Sequence, residues 1–347
     1  MKPTRVVEQV NIKQVAREAG VSTQTVSRVI NNRPDVAPET RERVQATVVR
    51  LGYRPNAMAR SLIARRSHTL GIITDTYNDV FFMQVITGAE AEARRHGYRF
   101  LLNSSDKDNG QNQEYIRLVQ ERFVDGVLVV RHSDDKAQPH LIELLKQGLP
   151  VATTAYYLPG ELLTVVDVDN LAGAYGAVRH LIEHGHHQIA QITGPLTMKA
   201  AADRSAGYLR ALREIDVLPH PHLLVEGEWT YRSGYSAAKQ LLQRQVPFTA
   251  VFAHNDEMAI AAIYALHEAG LRVPDDVSVI GYDGIPVGEY SIPPLTTVRQ
   301  PIREIGRLAT QLLIQQVEGI DVTPSISLLQ TELVVRRSVV RNERLLL

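Results

Sequence analysis

Residues 11–32, "NIKQVAREAGVSTQTVSRVINN", set four side chains that can read DNA within six positions: Thr23, Gln24, Ser27 and Arg28. Gln can grip adenine through two bonds, and Arg can do the same for guanine. Thr and Ser reach phosphates or base edges. Such chemistry needs the four on one exposed helix face, and the surrounding residues predict that face. Ile12, Val15, Ala16 and Ala19 recur at helical spacing, and Gly20 stops the helix by adopting positive φ cheaply. Ser22 suits the N-cap of a second helix, and Val26, Val29 and Ile30 give it an apolar stripe away from the polar four. Two short helices across a glycine turn form a helix-turn-helix. An ordinary polar helix face is the alternative, weakened because turn, cap and stripe occur together. A third helix starts at Pro38, carries Val44, Val48 and Leu51 inward, and ends at Gly52; Ala37 is a poor cap for it.

A stretch of different character follows, "PNAMARSLIARRS" at 55–67. Asn56 could cap a helix of about two turns, a length marginal in water. Met58, Ala59 and Leu62 are apolar, among Arg54, Arg60, Arg65 and Arg66. Residues 1–66 hold 13 Lys/Arg and 5 acids, a net +8; the remainder holds 25 and 33, a net −8. A basic head on an acidic body predicts a polyanion-binding module joined to something else.

From residue 69 apolar runs alternate with amphipathic stretches. Strands are expected at 69–74, 98–105, 125–131 and 149–155, with helices from Phe81 to His96, near 111–122, and before the fourth strand. Near Asp167–Asn170 the series restarts: helices 171–184, 201–214, 233–245, 257–268 and 302–317, and strands 188–194, 223–229, 249–256, 277–284 and 331–338. This predicts doubly wound parallel sheets in two lobes. In such sheets ligands bind beyond the C-terminal strand ends. That rule selects Asp75, Arg131, His132, Trp229, Asn255, Asp256 and Asp283. Carboxylates and amides suit paired hydroxyls, and an aromatic face suits a sugar ring. Asn255 and Asp256 could instead cap the next helix, Asp283 could be a turn residue, and Trp229 could be core.

The segments "VAREAGVSTQTVSRVIN", "PETRERV" and "LGYRPNAMARSL", in that order and spacing, resemble the LacI/GalR family of bacterial transcription regulators. The resemblance covers nearly the whole chain. It implies a helix-turn-helix head (1–54), a hinge helix and linker (55–68), and a two-lobed body like a periplasmic binding protein (69–347). The implied lobes are 70–166 with 301–329, and 168–298 with 331–341. By the same resemblance the hinge orders when two subunits pair on DNA. Leu62 then enters the minor groove as a wedge beside Ala59, with Arg60 near phosphate and Asn56 among the DNA contacts; apolar wedges do kink DNA in this way. Arg204, Trp229, Asn255, Asp283 and Gln300 fall on effector-contacting positions of sugar-responding members. In "TYNDVFF" Asp79 and Val80 depart from the family's Asn-Pro-Phe-Phe; Phe81 and Phe82 are both still expected to reach the cleft as ligand-binding residues, with the ring that faces the ligand left open. Met198 and Ala200 depart from purine-responding members.

The function implied is a repressor controlled by a sugar or sugar derivative, acting as a homodimer on a near-palindromic double-stranded operator. The end "RNERLLL" adds no leucine heptad, which favours a dimer over a tetramer. The alternatives are an enzyme on a doubly wound fold and a sugar-binding transport receptor. The G-x-G-x-x-G, Walker and G-x-S-x-G motifs are missing, and no catalytic residue or cofactor is expected. The polar N-terminus and the lack of any membrane-length apolar run predict a cytoplasmic protein, and the absence of cysteine fits a reducing compartment. His184, His186 and His187 fit a helix-to-strand turn around Gly185 better than a metal site.

Overall fold

The computed structural model describes residues 10–53, 66–74, 79–104, 121, 123–130, 139–155, 157 and 163–342. The chain divides into two units, Met1–Ser67 and His68–Leu347.

In the first unit, helices α1 (Ile12–Glu18), α2 (Thr23–Ile30) and α3 (Pro38–Leu51) enclose Val15, Ala16, Ala19, Val26, Val29 and Val44. Asn11 starts α1 with a reciprocal cap: its side chain accepts from Gln14 N while the Gln14 side chain accepts from Asn11 N. Gly20 turns the chain at φ 62°. Ser22 Oγ accepts from Thr25 N at 3.1 Å and starts α2. Pro38 opens α3, where Ala37 supplies no side-chain cap. Arg43 Nε donates to Ala19 O at 3.0 Å, tying α3 to the end of α1.

Among the described residues, the second unit contains two six-stranded sheets. One has the order β11 (Ile326–Leu329), β5 (Thr164–Val168), β4 (Val151–Thr154), β3 (Gly126–Val130), β1 (Thr69–Thr74), β2 (Arg99–Ser104), all parallel. The other has the order β12 (Glu332–Val334), β10 (Thr296–Arg299), β9 (Ser278–Asp283), β8 (Ala250–Ala253), β6 (Ile189–Thr193), β7 (Leu224–Glu226). Only the β10–β12 pair in it is antiparallel. Helices α4 (Val80–Arg95), α5 (Pro139–Lys146) and α10 (Ile302–Val317) belong with the first sheet; α6 (Asn170–Glu183), α7 (Lys199–Arg213), α8 (Tyr231–Gln243) and α9 (Asp256–Glu268) belong with the second. Nearly continuous burial along β3, β4, β5, β6, β8 and β9 is what parallel strands covered on both faces require.

The chain passes between the sheets three times: between Val168 and Asn170, between Arg299 and Ile302, and between Leu329 and Glu332. In the first lobe α4 and α10 approach to backbone contact. A Cβ on Gly306 would lie 1.9 Å from Val85 O, and one on Gly88 would lie 2.0 Å from Arg303 O. The sequence pattern does not mark β5, β10 or β11 as strands. β5 and β10 each run straight into a passage between lobes, and β11 is an edge strand with an exposed, mixed face. The helix expected near 111–122 lies, except for Glu121, outside the described residues.

Candidate DNA-reading face and effector cleft

On α2, Thr23, Gln24 and Arg28 are exposed and Ser27 is half-buried, opposite the buried Val26 and Val29. Ser27 Oγ accepts from Asn31 Nδ2 at 3.3 Å. Arg28 Nη1 stands 3.4 Å from Asp35 Oδ2, with both side chains about half exposed. The hinge candidates Asn56, Ala59, Arg60 and Leu62 lie outside the described residues.

In the second unit a cleft of about 420 Å³, partly open to solvent, is lined by Asp79, Val80, Phe81, Arg204, Trp229, Asn255, Glu257, Asp283 and Ile285. The first three come from the start of α4 in one lobe, and the rest from α7, strand ends and the start of α9 in the other. Arg204, 5% exposed, is the hub. Its Nε donates to Asn170 Oδ1 at 2.8 Å, its Nη1 donates to His254 O, and Nη1 stands 3.5 Å from Asp283 Oδ1. Its Cζ lies 3.7 Å from the Tyr282 ring centroid and 5.4 Å from that of Trp229. Among the described residues Nη2 has no hydrogen-bond partner.

Asp283 ends β9 at φ 108°, a conformation rare for a residue with a side chain. Gln300 holds it there, donating Nε2 to Asp283 Oδ1 at 2.7 Å and its amide to Asp283 O at 3.1 Å. Burial drives the Asp283 carboxyl well above the usual carboxylate range, against the pull of Arg204. His254 is fully buried, and burial and then the Arg204 charge push it well below the usual imidazole range, so it is neutral.

Trp229 also has positive φ, 65°. Asn255 stabilises that backbone: its Nδ2 donates to Trp229 O at 2.8 Å, while its Oδ1 caps α9 by accepting from Met258 N at 2.9 Å. The indole lies against Gly194, where a Cβ would sit 2.1 Å from the ring, and Trp229 Nε1 donates to Met198 Sδ at 3.1 Å. A flat aromatic wall and an Arg–Asp pair therefore line one cleft together.

A model of the bacterial regulatory proteins of the lacI family matches residues 11–56, and a periplasmic binding protein-like domain matches residues 178–339. The HTH-type transcriptional repressor CytR of Escherichia coli strain K12 is 36% identical over 340 residues, 97% of this chain and 98% of that protein. The chain belongs to the lacI family. The lac repressor dimer bound to operator and the anti-inducer ONPF aligns with a TM-score of 0.87 at 30% identity, over 96% of this chain and all of that one. A transcriptional regulator CelR–cellobiose complex aligns with a TM-score of 0.73 at 35% identity, over 95% and 100%. This lacI-family protein is a DNA-binding transcriptional regulator, with a helix-turn-helix head and a two-lobed body.

The cleft brings together Phe81, Arg204, Trp229, Asn255 and Asp283 of the expected set. Gln300 is 5% exposed and reaches the cleft only through Asp283. Phe82 corrects the sequence reading: it packs in the core of the first lobe at 2% exposure, because it follows the cap of α4 on the inward side while Phe81 faces the cleft. Asp75 and Arg131 lie outside the described residues. Asp256 is wholly buried behind the cleft, accepting from Thr297 Oγ1 at 2.5 Å and Ile285 N at 2.8 Å. His186 is buried, with one ring nitrogen 3.0 Å from Thr249 Oγ1 and the other 2.9 Å from Val340 O.

The expected set omitted four lining residues, Asp79, Val80, Glu257 and Ile285. The first two occupy the departure from the family's loop pattern. Asp79 Oδ1 accepts from Phe81 N at 2.7 Å and caps α4, so the acid takes over the start of the helix. Glu257 follows the strand-end Asn-Asp pair, and that adjacency was its signal.

Proposed function

We propose that this protein is a repressor whose operator affinity is set by a sugar or sugar derivative held between its two lobes. It acts in the cytoplasm as a homodimer on a near-palindromic operator. Thr23, Gln24, Ser27 and Arg28 read bases and phosphates from the major groove, one half-site per head. Asn56, Ala59, Arg60 and Leu62 form the minor-groove contact, with Leu62 as the wedge. The CelR–cellobiose complex and the lac repressor–ONPF complex are the relatives whose bound ligands support the effector class.

One observation carries the reading. The Arg204–Asp283 pair, the polar half of the cleft, is bonded directly to residues at two of the three passages between lobes. Arg204 holds Asn170 in the first passage, and Asn170 in turn donates to Asp167 at 3.4 Å, whose other oxygen accepts from Tyr157 at 2.8 Å. Gln300 in the second passage holds Asp283. An effector whose hydroxyls bind Arg204 Nη2 and Asp283 must readjust these bonds, and so bias the angle between lobes by as much as its affinity for the two arrangements differs. Sugar stacking on Trp229 supplies apolar contact without altering the polar hub.

The test is an operator titration of the full-length protein by fluorescence anisotropy, with a sequence selected from a random DNA pool, with and without a panel of mono- and disaccharides. At least one sugar is expected to shift the operator midpoint by about tenfold, within the usual range of allosteric coupling. Sugar binding without any shift in operator affinity would refute the coupling. No sugar bound at all would refute the effector class.

A further inference from the structure

The described cleft lining carries three carboxylates, Asp79, Glu257 and Asp283, against one guanidinium, Arg204. Arg204 and Asp283 lie 3.5 Å apart and serve as each other's partner. That leaves Asp79 from one lobe and Glu257 from the other. Neither has an ion-pair partner among the described residues. The charge of Asp79 reaches the other lobe: the Glu257 carboxyl is pushed up by burial and then by Asp79, and Asp283 also feels Asp79. The N-terminus of α9, where backbone amides could hold an anion, is already taken. Asn255 caps it, and Asp256 and Glu257 bring acid into its first turn.

We infer that the cleft selects an uncharged, hydroxyl-rich effector and rejects its phosphorylated or carboxylated counterparts, with Glu257 and Asp79 as the discriminating residues. This rests on the sugar-effector reading above. Hydroxyls can donate to all three carboxylates. A phosphate, carrying close to two negative charges, brings only acceptors. Among the described lining side chains, the donors left for it are Arg204 Nη2 and an indole N–H already directed at Met198. A partly enclosed cleft concentrates the field of two carboxylates that have no cationic partner among the described residues, and a site specifies its ligand by what it repels as well as by what it attracts.

Matched pairs test this on the full-length protein by calorimetry: glucose and glucose 6-phosphate, ribose and ribose 5-phosphate, cellobiose and its 6′-phosphate. For any pair whose neutral member binds, the phosphate is expected to bind roughly tenfold more weakly or worse. Glu257→Gln should narrow that ratio, and Glu257→Lys should narrow it further, with circular dichroism checking that both variants fold. A phosphate that binds as tightly as its parent, or tighter, overturns the inference and leaves the sugar reading standing. So does a ratio that neither folded variant moves. Failure of every neutral and phosphorylated sugar to bind overturns the sugar reading, and this inference with it.

Discussion

The reading helix and the effector cleft place their working side chains under opposite conditions. On α2 Thr23, Gln24 and Arg28 are exposed. In the cleft Arg204, Asn255, Asp283 and Gln300 are buried and bonded to one another or to backbone. The first region is a surface whose specificity resides in which side chains it presents. The second is a network whose specificity resides in how few of its bonds remain open. A change on the surface should therefore alter recognition and leave folding nearly untouched, whereas a change in the network should alter both.

The largest effect tests that contrast at the hub. Arg204→Ala leaves Asp283 buried without its cation, and truncating one member of a buried pair costs about 3–5 kcal/mol. Thermal unfolding should move by an amount of that order, and effector response should vanish with it. Arg204→Lys restores the charge but cannot keep the separate bonds to Asn170 and His254 in place, so it should recover part of the stability and little of the response. Wild-type stability in Arg204→Ala would show that the cleft is assembled like the surface.

The next effect is a pH dependence. Burial raises the Asp256 carboxyl to about 7, despite the bonds from Thr297 and Ile285. The folded protein thus keeps a proton that the unfolded chain releases above its ordinary carboxylate pKa. Its contribution favours folding at low pH, is lost as pH rises towards 7, and is flat above; the full span is on the order of 4 kcal/mol. His254, held neutral, acts in the opposite direction below its ordinary pKa. The measurement is therefore the difference in melting temperature between the parent and Asp256→Asn from pH 5 to pH 8, in which the histidine contribution cancels. A difference independent of pH would mean that Asp256 is ionised in the fold. No equivalent slope is expected from variants in the head.

The same contrast explains what the sequence made legible. The head could be read almost residue by residue, because its signals are local: the Gly20 turn, the Ser22 cap and the Val26–Val29 stripe each act within a few positions. Strand-end logic found Trp229, Asn255 and Asp283, since β7, β8 and β9 end on one side of their sheet. Arg204 and Gln300 came only through resemblance, because one is on a helix and the other past β10, with no local mark of what they touch. Asn255 matches two readings together: it caps α9 and also fixes Trp229, a contact 26 positions away. Phe81 and Phe82 are indistinguishable in composition; which one faces the cleft depends on where Asp79 starts α4.

At the surface the expected effects fall on binding. Arg28→Ala should cost about 1–3 kcal/mol at one base position of the operator and relax preference there. The melting temperature should hardly move, since the Arg28–Asp35 pair is exposed. A selection against random DNA with parent and variant would show whether preference is lost at one position or uniformly weakened. Uniform weakening would reassign Arg28 to phosphate.

Asp35 gives the smallest and most discriminating effect. It is the point where the surface resembles the network, because a reading side chain already has an intramolecular partner at 3.4 Å. If that pair orients Arg28 for guanine, Asp35→Asn should weaken operator binding although it removes a negative charge facing DNA. If the pair merely occupies Arg28, the same substitution should tighten binding by less than about 1 kcal/mol. The surface description predicts tightening, and since exposed charges are screened, the gain should shrink as salt is raised towards physiological strength. Weakening that persists at high salt would instead place Arg28 and Asp35 in a small fixed network, and the division between a head of free side chains and a body of committed ones would no longer hold at the residue that reads the DNA.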